Sequence, residues 1–388
     1  MEFLGWLVSL LIVIGVIGYL LIEWQYRQRP GNQLELSARD WTFDTYENNH
    51  YAISLDAVFT NRTRTLEIFI PEVSIDYELL SGSSLEGINV KTEITPQHED
   101  FPARADNYWF AYIVKVGKTP NANITVDITG EDLSRRKSLW LKVNYLTYGP
   151  EGRIPKTGHL IVPLKFPNPE NATNWRENSV AHILPVPTHL LTNLDSTVEV
   201  VKKYVSPCAQ PGDIVTIGET PVAIMQGRLR HPTTVHPGWL AKRLCYYFMS
   251  TSSLATACGM QTLIDISGPW KVASAFAIGA VAKIFGSPGM FYNLAGEQAR
   301  LIDDVTGTLP PFDQFIVLGP SRSQELVNQI FQETGLQAAI VDVNDLKAVK
   351  ILAKTQNTDE QMLIQALIDN PAGNADEQTP VVLIRPKS

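Results

Sequence analysis

The chain has 388 residues, 44% of them apolar and 19% charged, with 32 Lys and Arg against 40 Asp and Glu for a net charge of −8. That length fits two domains with room for a third, and the apolar share can bury a sizeable core, which excludes a disordered chain. An acidic balance with no basic patch argues against nucleic acid as a partner, and three scattered cysteines (Cys208, Cys245, Cys258) argue against a disulfide scaffold or a cysteine-built zinc site.

Residues 3–22 carry no charge. As a helix rising about 1.5 Å per residue they span about 30 Å, the hydrocarbon thickness of a bilayer. Trp24 and Tyr26 follow at interfacial depth, then Arg27 and Arg29. A cleaved signal peptide wants a positive start and small residues at the end of a shorter apolar core. Here the start is Met1-Glu2 and the end is Leu20, Leu21 and Ile22. The reading is a retained single-pass membrane helix, and arginines on its C-terminal side place the body in the cytoplasm. A second apolar run, 272–282 between Lys271 and Lys283, is too short to cross and reads as a buried or amphipathic core helix.

Residues 34–168 read as a β-sandwich. The runs 52–59, 65–70, 88–94, 108–116, 123–128, 139–145 and 159–166 are short and rich in Val, Ile, Thr and aromatic residues. Within 139–145, Leu139, Leu141, Val143 and Tyr145 point one way and Trp140, Lys142 and Asn144 the other, the period of a half-buried antiparallel strand. His50, His98 and His159 are scattered and read as surface or loop residues. A polar Pro/Asn-rich stretch near 166–177 marks a boundary.

From 178 to 388 the texture alternates. Strands are expected at 183–187, 213–217, 315–318, 338–343 and 381–384, and helices at 239–249, 321–334 and 359–368, a mixed α/β domain. Four polar clusters adjoin its strands. Gln226-Gly227-Arg228 combines close backbone approach with a cationic fork for phosphate or carboxylate, or is an ordinary turn. Asp303-Asp304 repel one another unless screened, and suit Mg2+ or Mn2+, or begin a helix or solvated turn. Asp342, Asn344 and Asp345 end an apolar strand where α/β proteins place ligands, although Asp345 could equally cap a helix over 346–352. Asp369-Asn370-Pro371-Ala372-Gly373-Asn374, then Asp376 and Glu377, is a turn or an acidic substrate-binding loop. His182, His189, His231 and His236 form no triad with a serine and read as structural. A P-loop, a GxGxxG opening a helix, a GxSxG elbow and HExxH are all missing.

Taken together, Pro211-Gly212-Asp213-Ile214-Val215, Gln226-Gly227-Arg228, Leu301-Ile302-Asp303-Asp304, Leu309-Pro310, Ile340-Val341-Asp342 and the final run from Pro380 to Arg385 resemble the coenzyme F-420:L-glutamate ligase (gamma-glutamyl ligase) family over 181–386. The family's Ser-Lys-x-Glu-Gly-Arg reads here Ala223-Ile224-Met225-Gln226-Gly227-Arg228, and its Gly-Ile-Asp-Glu-Ser-Asn reads Leu301-Ile302-Asp303-Asp304-Val305-Thr306. The resemblance implies an amide ligase using GTP with Mg2+ or Mn2+. It implies a metal held by Asp303 and Asp342, completed by Asp304 or Asp345. It also implies a nucleotide or substrate phosphate or carboxylate at Gln226, Gly227, Arg228, Asn344 and Asn370. The partners would be a small carboxylate acceptor and a glutamate-like amine, the assembly a homodimer. Two other readings stand beside it. One is a ligase-derived module without catalysis that binds or scaffolds at the membrane. The other is an extracytoplasmic glycoprotein, since Asn61-Arg62-Thr63, Asn123-Ile124-Thr125 and Asn171-Ala172-Thr173 fit the acceptor pattern. The fold class expected is multidomain α+β: transmembrane helix, antiparallel sandwich, then a ligase-like α/β domain.

Overall fold

A computed structural model describes residues 2–28, 33–97, 103–106, 108–149, 152–250, 252–287, 289–303, 309–344, 347–373 and 377–387. It has the expected class: an apolar helix, antiparallel sheets, then a mixed α/β region. Of the residues singled out above, Met1, Arg29, His98, Asp304, Val305, Thr306, Asp345, Asn374 and Asp376 lie outside the described set. Helix α1, Glu2–Gln28, is long and apolar enough over Gly5–Tyr26 to cross a membrane, and among the described residues none buries that stretch. The core helix of a soluble protein would be packed instead.

Among the described residues nine strands follow: β1 (Leu34–Glu47), β2 (His50–Asn61), β3 (Ile68–Ile70), β4 (Glu72–Ser81), β5 (Asn89–Gln97), β6 (Tyr112–Val114), β7 (Asn121–Thr129), β8 (Arg136–Gly149) and β9 (Gly152–Pro163). One sheet runs β1-β2-β7-β5 and the other β4-β8-β9, with β3-β6 as a short ribbon. Alternation drives the pairing of the sheets. Ile53 and Leu55 of β2, Ile124 and Val126 of β7, and Leu141 and Val143 of β8 point into one shared core. Each such side chain contributes about 1.5–3 kcal/mol on burial.

Trp140 breaks the expected alternation. Although it points away from the sandwich core it is fully buried, because Leu190, Ala223, Ile224, Phe312 and Phe315 of the second half close over it. Beside it His159 is no loop residue either. Its ring stacks on His231 with centroids 4.0 Å apart, and its Nδ1 accepts from Trp140 Nε1 at 3.2 Å. Burial, then the charges of His231 and Lys142, push the His159 pKa down to about 3, so this contact is a neutral one.

The second half comprises β10 (Arg176–Glu177), β11 (Ala181–Val186), α2 (Thr197–Val200), β12 (Ile214–Gly218), α3 (Glu219–Met225), β13 (Leu229–Arg230), α4 (Trp239–Leu244), α5 (Ala257–Ser267), α6 (Pro269–Ile284), α7 (Met290–Ala295), α8 (Gln298–Leu301), β14 (Ile316–Val317), α9 (Ser323–Thr334), β15 (Gln337–Val343), β16 (Val349–Lys354), α10 (Glu360–Leu367) and β17 (Val381–Pro386). Its main sheet runs β10-β11-β17-β12-β15-β16, with β12 and β15 parallel. Helices α2 and α9 cover one face and α10 the other. Three expectations are corrected. The helix expected over 239–249 stops at Leu244, because Phe248 turns extended and packs its ring 4.8 Å from that of Phe291. The helix alternative over 346–352 gives way to β16, whose Val349 and Ile351 feed the core while Lys350 faces out, a period of two. Helix α6 covers the apolar run 272–282, yet only its Val272 and Ala275 are buried.

Two ends of the sequence pattern meet across β17. Arg385 Nε and Nη2 donate to Asp213 Oδ1 and Oδ2 at 2.9 and 2.8 Å, and the guanidinium lies 4.6 Å from the Trp175 ring. Asp213, only 2% exposed, also accepts from the Gln210 N–H at 2.8 Å. Here the buried carboxylate ties the loop before β12 to the last strand.

Candidate functional site

The parallel pair β12 and β15 ends with Gly218 beside Val341. One residue further, Glu219 opens α3 next to Asp342, in the crevice outside the carboxyl ends of the strands. Glu219 is the most perturbed carboxyl here. Burial first, then Asp342, with smaller rises from Asp303 and Glu297 and Lys350 opposing, together bring its pKa up to about 8. Its Oε2 is buried without a hydrogen-bond partner among the described residues, so the fold holds a carboxyl oxygen that no described protein group satisfies.

Asp303 reaches this place from another direction. Its N–H and C=O pair with Val317 at 2.9 and 2.7 Å, extending β14, and Ser253 Oγ donates to its Oδ1 at 3.1 Å. Asp342 stands on β15 opposite Lys350. Asp303 and Asp342, from separate elements, therefore act on one carboxyl, that of Glu219. Among the described residues no group of three or more His, Cys, Asp and Glu is arranged to hold a metal ion.

The other expected site residues are placed differently. Gln226 donates to Ser321 C=O at 2.8 Å and accepts from Ser321 N–H at 2.7 Å. Arg228 Nε donates to Gly319 C=O at 2.6 Å, and burial lowers its pKa. Gly227 sits between them at φ 65°, a conformation glycine adopts without strain. This triplet thus clamps the loop before α9. Asn344 Oδ1 accepts from Ala348 N–H at 3.0 Å and closes the β15–β16 turn. Asn370, at φ 45° after α10, lines a cleft of about 420 Å³ with Arg176, Pro187, Glu377 and Thr379. Gly373 joins that cleft to a smaller apolar cavity of about 60 Å³ against Thr220 and Pro221 of α3, with Leu309 and Phe312 on its wall.

Sequence reasoning missed Glu219. The available signal was an acidic residue directly after the strand Ile214–Gly218, at the first position of a helix and at a strand's carboxyl end. His189, expected to be structural, is buried in a network: Nδ1 meets Tyr204 Oη at 2.8 Å and Nε2 meets Asp195 Oδ1 at 2.9 Å. Burial pushes Asp195 up, but the bond and charge of His189 and the Thr192 donors hold it below its ordinary range.

No curated protein matches the chain. Among solved structures, the GAE domain of GGA2p from Saccharomyces cerevisiae aligns at 12% identity over 34% of this chain and 97% of that one, with TM-score 0.20. The yeast GGA1 GAE domain aligns at 15% identity over 35% and 100%, also at 0.20. Domains D2 and D3 of the major pilin SpaD from Corynebacterium diphtheriae align at 9% identity over 48% and 55%, at 0.14. Residues 35–166 match the family model described as F420-0:gamma-glutamyl ligase, N-terminal Ig-like domain. None of the motifs from Pro211 to Arg385 falls inside that match, which covers the sandwich. The sandwich is thus similar to the Ig-like domain that opens F420-0:gamma-glutamyl ligase, and this likeness, spanning about a third of the chain, supports that family.

Proposed function

We propose that the chain is an amide-forming ligase of the gamma-glutamyl type, held at a membrane by α1 with its body on the cytoplasmic side. The observation that carries the reading is the gathering of carboxylates on Glu219 at the carboxyl edge of β12 and β15. Glu219, with an orphaned buried oxygen and under the field of Asp342 and Asp303, offers hard oxygen of the kind Mg2+ and Mn2+ prefer. As placed among the described residues these three carboxylates form no ready three-ligand set; in this reading Asp303 and Asp342 hold the ion together with Asp304 or Asp345, as the family resemblance implies. When bound, it supplies positive charge against nucleotide phosphates.

In this reading a carboxylate oxygen of the acceptor attacks the terminal phosphorus of GTP and GDP leaves. The amine of a glutamate-like substrate then attacks the acyl carbon, inorganic phosphate leaves, and the amine gives up a proton. Neither step needs a nucleophilic side chain. Arg228, anchored through Nε to Gly319, would turn its Nη groups to phosphate or carboxylate. Lys350 stands opposite Asp342 as a second positive charge.

One observation favours a non-catalytic binding module instead: the Gln226 side chain is engaged at both ends by Ser321. Calorimetric titration of the full chain in detergent micelles separates the two. GTP is expected to bind with Mn2+ and not with chelator, and Asp303→Ala should weaken binding at least about tenfold. Metal-independent binding, or an Asp303→Ala variant that binds like wild type, removes the basis of the enzyme reading. Glutamate incorporation into an added carboxylate, read by mass spectrometry, removes that of the module.

A further inference from the structure

We infer that the helical insertion over 236–296 docks on the surface of an anionic lipid bilayer, as a second membrane contact besides α1. Trp239, Tyr246, Met249, Trp270, Ile284 and Phe285 are each 72–88% exposed. Isolated exposed apolar residues need no explanation, but so many large ones on one short stretch do. On α6 they fall on one side: Trp270, Ala277, Val281 and Ile284 recur at spacings of seven, four and three, while Val272 and Ala275 turn inward. The Tyr247 ring lies 5.4 Å from that of Phe276, which sets the exposed 245–249 segment alongside α6.

Charge selects the occupant. Over 236–296 the cations Lys242, Arg243, Lys271 and Lys283 stand against one carboxylate, Asp265, in a chain whose net charge is −8. Asp265 is itself paired with Arg230 at 2.6 Å. Exposed Trp and Tyr with Lys and Arg, and no unpaired acid, is the composition of an in-plane helix at the headgroup level. A second copy of the chain fits less well, since a two-fold interface sets a patch against itself and would oppose these cations. The run 272–282 is too short to span a bilayer, whereas lying on one needs only a face.

The inference rests in part on the proposed placement of α1 in a membrane, and the experiment keeps the two apart. The full chain, with a specific protease site introduced between α1 and β1, is reconstituted on vesicles of phosphatidylcholine alone or mixed with phosphatidylglycerol, cleaved, and sedimented. The freed body should stay with the mixed vesicles about a hundredfold more strongly than with the neutral ones, and leave them in high salt. The double variant Ile284→Asp/Phe285→Asp, at two solvent-facing positions that leave the core intact, should release it from both. A wild-type body that leaves the mixed vesicles at low salt overturns the inference. So does a released body that light scattering shows to be a dimer through this face. If the uncleaved chain fails to sediment with neutral vesicles, α1 is no anchor, and mixed vesicles still test the docking face.

Discussion

Arg385→Ala should lower the unfolding free energy by about 3–5 kcal/mol, the cost of leaving a buried carboxylate without its partner. Asp213 is 2% exposed and receives two parallel bonds from the guanidinium. Truncation leaves that charge with only the Gln210 N–H. It also strips the cation from the face of Trp175. The double variant Asp213→Asn/Arg385→Ala, which removes the orphaned charge as well, should recover a large part of the loss. Guanidinium unfolding midpoints of the four members of the cycle check this. A double variant as unstable as Arg385→Ala alone would mean that the pair contributes packing rather than charge compensation.

Glu219→Gln should stabilise the chain at alkaline pH. The folded pKa of Glu219 is raised from 4.5 to about 8. A raised pKa means a contribution to stability that is fully present below pH 4.5 and is lost as pH climbs through about 8. Glutamine mimics the protonated form at every pH, so variant and wild type should be equally stable near pH 4. The gap should open between about pH 5 and 8 and level off above that, on the order of 4 kcal/mol with divalent cations chelated. Thermal unfolding across that range, in the presence of EDTA, reads it directly. A gap that does not change with pH would place the Glu219 carboxyl in water.

Much of the architecture was legible because it rests on local periodicity. The alternation of Leu139, Leu141, Val143 and Tyr145 predicted β8, and those residues face inward together. The apolar length of 3–22 predicted α1. Errors came where one segment's environment is made by another. Trp140 points outward from its own sheet and is buried only because Phe312 and Phe315 arrive from far along the chain. Residues 349–354 form a strand because β15 offers them an open edge, a partner that a window of sequence does not contain.

The candidate site divides the same way. That Asp303, Asp342 and Arg228 carry ionisable side chains was a matter of residue type, and residue type is written in the chain. Where each one acts was not. Gln226 and Arg228 turn to the 319–321 loop, and Glu219, inconspicuous as one more acidic helix start, becomes the buried carboxyl on which the other charges converge. Composition, hydropathy and period are properties of neighbours along the backbone, so sequence alone determined the apolar helix, the sandwich and the alternating second half. Burial and electrostatic proximity are sums over residues brought together from distant positions, and only the tertiary structure decided on which carboxyl the other charges act.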